Sequence, residues 1–185
     1  MKKSYLFLAN GFEEIEAIAT VDILRRANID VTTVSVYNDP EVVGAHGVPV
    51  KADMVFADCD FSQADWLILP GGLPGADNLL ACDGLAKLLK EHNDAGKHIA
   101  AICASPAVVL AQLGILEKRK ATAYPGFEEK LVAAGATPTF ERVTVDGNIT
   151  TGNGPATAFP FALAIVEQTM GKDVAETVAS GMLYK

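Results

Sequence analysis

Apolar residues along the chain follow two patterns: short runs unbroken by polar groups, and longer stretches where they return every three or four positions. Residues 4–9, 65–69 and 99–102 are of the first kind and predict buried strands, and the β-branched stretch 30–36 predicts another. Ile15, Ile18, Ala19 and Ile23 are of the second kind and predict a first helix running toward Ala27. Leu79, Leu80, Leu85, Leu88 and Leu89 predict one helix over residues 77–93, closed by Gly96. Beyond residue 102 the spacing predicts a helix over 105–113, a strand near 121–124 and a short helix around 127–134. Residues 139–145 and 148–151 flank Asp146-Gly147, a two-residue hairpin signal, and helices over 156–170 and from Asp173 follow. Between residues 38 and 60 the pattern weakens, leaving short extended pieces at 48–51 and 54–56. Strand and helix alternate for most of the length, which predicts an α/β fold with a mostly parallel sheet between helices, in a single domain over residues 1–185.

Composition narrows the partners. Half the residues are hydrophobic and 21% are charged, as in an ordinary soluble protein, while a net charge of -8 disfavours a phosphate backbone as ligand. Nucleic acid is therefore not an expected partner. The N-terminal apolar run meets Asn10, Gly11, Glu13 and Glu14 too early for a signal peptide or a membrane span. Three cysteines, at 59, 82 and 103, without CxxC spacing, suit neither a disulfide framework nor a zinc site. The expectation is a cytoplasmic protein with no metal.

Parallel sheets bind ligands beyond the carboxyl ends of their strands. Asn10-Gly11, residues 70–75, Cys103 and residues 152–155 each follow a predicted strand at that end, so four loops converge on one crevice, with Gly71, Gly154 and Pro155 as candidate lining. A lone cysteine in an apolar run is ordinarily a core residue. Cys103 differs by position: a buried strand turns into a helix there, Ala100, Ala101, Ala104 and Ser105 leave room for a tight corner, and Pro106 suits the first helical turn. Ser105 is expected to cap that helix, whose positive end favours a Cys103 thiolate. Cys59 and Cys82 lack this context.

Among the early glutamates, Glu16 falls on the line of Ala19, Ile23 and Ala27, whereas Glu13 and Glu14 point elsewhere at ~100° per residue. A carboxyl on the apolar side resists ionisation and can trade a proton with a neighbouring thiol. The competing reading is an ordinary first-turn glutamate favoured by the helix dipole. Of the three histidines, His92 lies on a charged helix, His98 begins the elbow strand at its far end, and His46 sits in the weakly patterned loop as a further candidate for lining the crevice. No histidine follows residue 98, so a late triad histidine has no candidate.

NGFEEIEA at 10–17, VDILRRA at 21–27, LPGG at 69–72, AAICASP at 100–106 and GPATAFPFALAIVE at 154–167 closely resemble the motifs of the ThiJ/PfpI superfamily, in its Parkinsonism-associated deglycase branch. The resemblance covers essentially the whole chain. It implies a flavodoxin-like three-layer sandwich of the class I glutamine amidotransferase-like kind, a homodimer, Cys103 as reactive cysteine, Glu16 as the protonated glutamate beside it, and Gly72 and Ala104 as backbone N–H donors to an oxyanion. It also implies that Arg26, near the apolar stripe of the first helix, reaches toward the partner subunit's site. Two positions depart from the branch: Tyr124 stands where a histidine is frequent, and His46 where some members carry arginine. Ala104 after the cysteine, in place of histidine, disfavours a peptidase. The implied activity is cofactor-independent conversion of a small aldehyde or a glycated adduct, of glyoxalase III or deglycase type. The alternatives are a redox-sensing stress protein whose cysteine oxidises to sulfinic acid, and a small-molecule hydrolase or hydratase of another branch.

Overall fold

A computed structural model describes residues 3–184. In chain order the elements are β1 (Lys3–Leu8), α1 (Glu14–Arg26), β2 (Asp30–Ser35), β3 (Glu41–Val43), β4 (Pro49–Lys51), β5 (Met54–Val55), β6 (Ala64–Leu69), α2 (Gly75–Leu80), α3 (Asp83–Asp94) and β7 (His98–Ile102). A π-helical turn (Pro106–Leu110) follows, then β8 (Lys120–Ala121), α4 (Glu128–Ala133), β9 (Thr137–Pro138), β10 (Val143–Asp146), β11 (Ile149–Gly152), α5 (Ala158–Met170) and α6 (Lys172–Gly181).

Seven strands form the central sheet in the order β10-β11-β7-β6-β1-β2-β5, parallel except for the β10–β11 hairpin. α1 packs on α5 and α5 on α6, while α2, α3, the π-helical turn and α4 pack together in a separate group. From β1 the chain steps to β2 on one side and later to β6 and β7 on the other. Successive right-handed crossovers in opposite directions place their helices on opposite faces, giving three layers. They also open a crevice between β1 and β6 at the carboxyl ends. The loops after these two strands are laced together there, with Gly75 N–H donating to Gly11 O at 3.1 Å and Glu13 N–H to Gly71 O at 2.9 Å.

The expected strands are buried as their unbroken apolar runs require: Leu6, Phe7 and Leu8 of β1, Trp66 to Leu69 of β6 and Ile99 to Ile102 of β7 are all inaccessible. Trp66 donates its indole N–H to Thr169 Oγ1 at 2.9 Å and stacks on His98 with ring centroids 4.5 Å apart. His98 and His92, which bonds Asp65 O at 3.1 Å, therefore serve the amino-terminal end of the sheet, far from Cys103. The helix expected over 77–93 is two helices, broken at Ala81 and Cys82, where Cys82 is extended. The break lets Gly84 meet the Phe56 ring: a Cβ on Gly84 would lie 2.9 Å from Phe56 Cε1. Among the described residues no helix is long and apolar enough to cross a membrane.

Candidate active site

β7 ends at Ile102, and Cys103 turns the chain at φ +65°, a left-handed conformation that costs a non-glycine residue about 1–2 kcal/mol. Two backbone bonds hold it there: Cys103 N–H donates to Gly152 O at 2.9 Å, and Cys103 O accepts from Tyr124 N–H at 2.8 Å. The corner is also crowded. A Cβ on Gly71 would sit 2.5 Å from Cys103 Cβ and 2.8 Å from Glu16 Oε2, so glycine is what allows the β6 loop to lie against both. Gly71→Ala is expected to force cysteine and glutamate apart; it should cost more than tenfold in catalytic efficiency and lower the melting temperature, both measurable on the purified variant.

Ser105 does not cap the helix. It already has helical backbone angles with no side-chain cap bond, and its hydroxyl donates to Pro70 O at 2.5 Å. The first helical acceptor is Ala104 O, which takes Val108 N–H at 2.8 Å, and the turn then widens to a five-residue step, Ala111 N–H to Pro106 O at 2.9 Å. The buried hydroxyl thus ties the elbow to the β6 loop across the crevice.

Glu16 lies in the first turn of α1 and is inaccessible to solvent. Its Oε2 accepts from Gly71 N–H at 2.7 Å, its own N–H donates to Glu13 Oε2 at 2.7 Å, and its Oε1 is buried without a well-formed hydrogen bond. The group that bears on this carboxyl is the Cys103 thiol. Burial pushes the Glu16 carboxyl up to about 7, although the Gly71 amide and the thiol favour its ionised form. Cys103 moves the same way, to about 12: burial first, then the charge and hydrogen bond of Glu16, outweigh the Gly72 and Ala104 amides that favour the thiolate. Burial and the neighbouring carboxyl thus oppose the pull of the helix end and the two amides on the thiol. The two groups are coupled, so that a proton on one favours charge on the other. A carboxyl that titrates near neutrality beside a thiol is matched to trade a proton with it as sulfur attacks.

The structure brings Cys103, Glu16, Gly71, Gly72 and Ala104 together. Tyr124 joins them through its backbone bond to Cys103, and Gly154 through contact with the Tyr124 ring, at 3.3 Å from a Cβ placed on Gly154. Pro155 follows in a short 3-10 turn that leads into α5.

His46 stands apart, with its side chain 73% exposed and its N–H and Nδ1 on the two oxygens of Glu14 at 2.7 and 2.8 Å. Glu13, Glu14 and His46 present possible ligand atoms within 4.8 Å of one another. Glu14 spends both oxygens on His46, and Glu13 caps α1, where the positive helix end opposes a cation, so the trio works as a clamp of residues 44–48 onto α1. Glu14 holds the His46 imidazole above its ordinary range, and His46 holds the Glu14 carboxyl below its own. The raised histidine contributes stability below pH ~6.5 that fades as pH rises through its folded value. The lowered glutamate contributes above its unfolded value and fades as pH falls through its folded one. His46→Ala should therefore lower the melting temperature slightly near pH 6 and leave it unchanged at pH 9.

Arg26 is an exposed residue near the far end of α1, paired with Asp22 at 2.7 Å, and is not on the buried stripe. Sequence reasoning also placed Glu13 on the outside; it is buried as the N-cap of α1. The Glu13-x-x-Glu16 spacing, a capping-box interval with an acidic first member, was the available signal. The Ser105–Pro70 bond had none, since it joins two loops distant in sequence.

In sequence and fold the chain resembles known proteins of one family. The model of the DJ-1/PfpI family matches residues 2–168. The chain is 42% identical to Protein DJ-1 homolog A of Arabidopsis thaliana over 96% of its own length and 45% of that protein, so it spans under half of this plant relative. It is 36% identical to the glutathione-independent glyoxalase DJR-1.2 of Caenorhabditis elegans, covering 87% of this chain and 84% of that one. The solved structure of oxidized Toxoplasma gondii DJ-1 superposes with a TM-score of 0.94 at 40% identity, covering 100% of this chain and 99% of that chain.

Proposed function

The chain belongs to the DJ-1/PfpI family, and on that premise we propose that it is a cysteine enzyme that converts small reactive carbonyls, of glyoxalase type, or releases them from thiol and amine adducts, of deglycase type. The observation that carries this reading is the solvent-inaccessible Glu16 carboxyl held by Gly71 against the Cys103 thiol. The family includes a relative named as a glutathione-independent glyoxalase.

In this reading Cys103 sulfur bonds to the aldehyde carbon of a 2-oxoaldehyde while its proton passes to Glu16 and from Glu16 to the aldehyde oxygen, giving a hemithioacetal and leaving Glu16 a carboxylate. The Gly72 and Ala104 N–H groups, which already face the sulfur, hold that oxygen as charge develops on it. Glu16 then carries the proton from this carbon to the neighbouring ketone carbon through an enediol, while the hydroxyl proton moves from the first oxygen to the ketone oxygen. The first carbon is thereby oxidised to a thioester and the second reduced to an alcohol. Water cleaves the thioester and returns the thiol, so the sum is 2-oxoaldehyde plus water to 2-hydroxy acid, with no external oxidant. No step calls for a metal or an organic cofactor. Lactate formed from methylglyoxal without added glutathione tests the reading; its absence at high enzyme concentration sinks it.

A second reading, a redox-sensing stress protein, is favoured by the oxidized state of the related Toxoplasma structure. Two amides and a carboxyl around one sulfur would also hold a sulfinate. Mild peroxide should then add two oxygens to Cys103 alone; equal oxidation of Cys59 and Cys82 counts against it.

The chain is also proposed to act as a homodimer through α1, whose Ile15 and Ile18 are 54% and 46% exposed. Ile18→Glu and Arg26→Glu should shift sedimentation toward monomer, and an unchanged profile removes α1 from the interface.

A further inference from the structure

Tyr124 is tied to the nucleophile more closely than its place in sequence suggests. Its N–H bonds to Cys103 O at 2.8 Å, and its own O accepts Phe127 N–H at 3.1 Å, so both peptide groups of the residue are fixed. Part of its ring lies on Gly154, where a Cβ would stand 3.3 Å from Cδ2 and 3.6 Å from Cε2. Gly154 is itself locked: its N–H donates to Thr157 Oγ1 at 3.2 Å, that hydroxyl donates to Gly154 O at 2.7 Å, and Asn153 N–H donates to Arg142 O at 3.1 Å. The ring nevertheless remains 46% exposed, and its hydroxyl has no partner among the described residues. On the β6 side of Cys103, Gly71 packs against the Cys103 Cβ and the Gly72 amide faces the sulfur. A firmly mounted, half-exposed aromatic residue thus sits one backbone hydrogen bond from the nucleophile.

We propose that Tyr124 is the specificity-determining residue of this site, a flat wall against which the substituent of the carbonyl lies, so that aryl-bearing substrates are preferred over alkyl ones of the same reactivity. A planar group can lie offset on or edge-to-face against the ring, whereas a methyl group covers little of it. The proposal deepens the carbonyl reading above and rests on it for the word substrate, but the wall itself can be read without turnover.

The test pairs two measurements on wild type, Tyr124→Leu, which keeps an apolar side chain but loses the flat face, and Tyr124→Phe, which keeps the face but loses the hydroxyl. The first is the ratio of kcat/KM for phenylglyoxal to that for methylglyoxal. The second is the ratio of alkylation rates of Cys103 by 2-bromoacetophenone and bromoacetone, each divided by its rate with N-acetylcysteine and read by mass on the Cys103 peptide. Sulfur displaces bromide in both reagents, so only the substituent differs. The expected result is an aryl preference of about three- to tenfold in wild type, the worth of one aromatic pair, retained in Tyr124→Phe and lost in Tyr124→Leu. A ratio equal to that of the free thiol, or one that Tyr124→Leu leaves unchanged, overturns the proposal. An alkylation preference that behaves as expected while neither glyoxal is consumed supports the wall and sinks the glyoxalase reading alone.

Discussion

Cys103→Ser is expected to abolish lactate formation from methylglyoxal, with a loss of at least about a thousandfold in kcat/KM, because a hydroxyl beside the same carboxyl is far the weaker nucleophile and leaving group. Folding should survive. Serine differs by one atom, and the backbone bonds from Cys103 to Gly152 O and Tyr124 N–H do not involve the side chain. Far-ultraviolet circular dichroism and the melting temperature of the variant check this directly. Retained turnover would transfer the chemistry to another residue, and Cys59 and Cys82 are the only other thiols.

Glu16→Gln removes the proton carrier and keeps the shape, and is expected to lower kcat/KM by about a hundredfold to ten-thousandfold. In wild type the rate should rise with pH along a limb centred near 7, the value to which burial pushes Glu16, because the carboxylate must be ionised to take the thiol proton. The limb should vanish in the variant. Stability moves oppositely. A carboxyl whose folded value is raised contributes stability that is present below its unfolded value of 4.5 and is lost as pH rises through about 7. Glu16→Gln should therefore melt higher than wild type at pH 8, with the difference shrinking toward pH 5. An active variant, or one that melts lower at pH 8, would mean that Glu16 is held for packing.

Much of the site was legible before any coordinates. Cys103 stood out because a buried apolar run meets Pro106 through small residues, and Glu16 because it shares a face with Ile23 and Ala27; both are local patterns with a fixed period. The bonds that make the pair chemical were not legible. Gly71 N–H on Glu16 and Ser105 on Pro70 join residues 55 and 35 positions apart, and no periodicity encodes such a meeting. The forces on the thiol were only half legible for the same reason. A helix end is visible in sequence and favours thiolate, but the burial and the carboxyl that oppose it belong to the assembled site. The break of the helix expected over 77–93 accompanies the packing of the Phe56 ring on Gly84, again a contact between distant segments.

The elbow opened as one cysteine at a predicted corner, in an α/β chain with strands in nearly the right places. That much the amino-acid order determined by itself, since unbroken apolar runs can only be satisfied by strands buried on both faces. The tertiary structure alone decided what the cysteine can do. Closing the sheet at the step between β1 and β6 brings the Glu13 and Gly71 loops into hydrogen-bonding contact, and only then do Glu16 and Cys103 lose their water and come to share the proton chemistry proposed for the site.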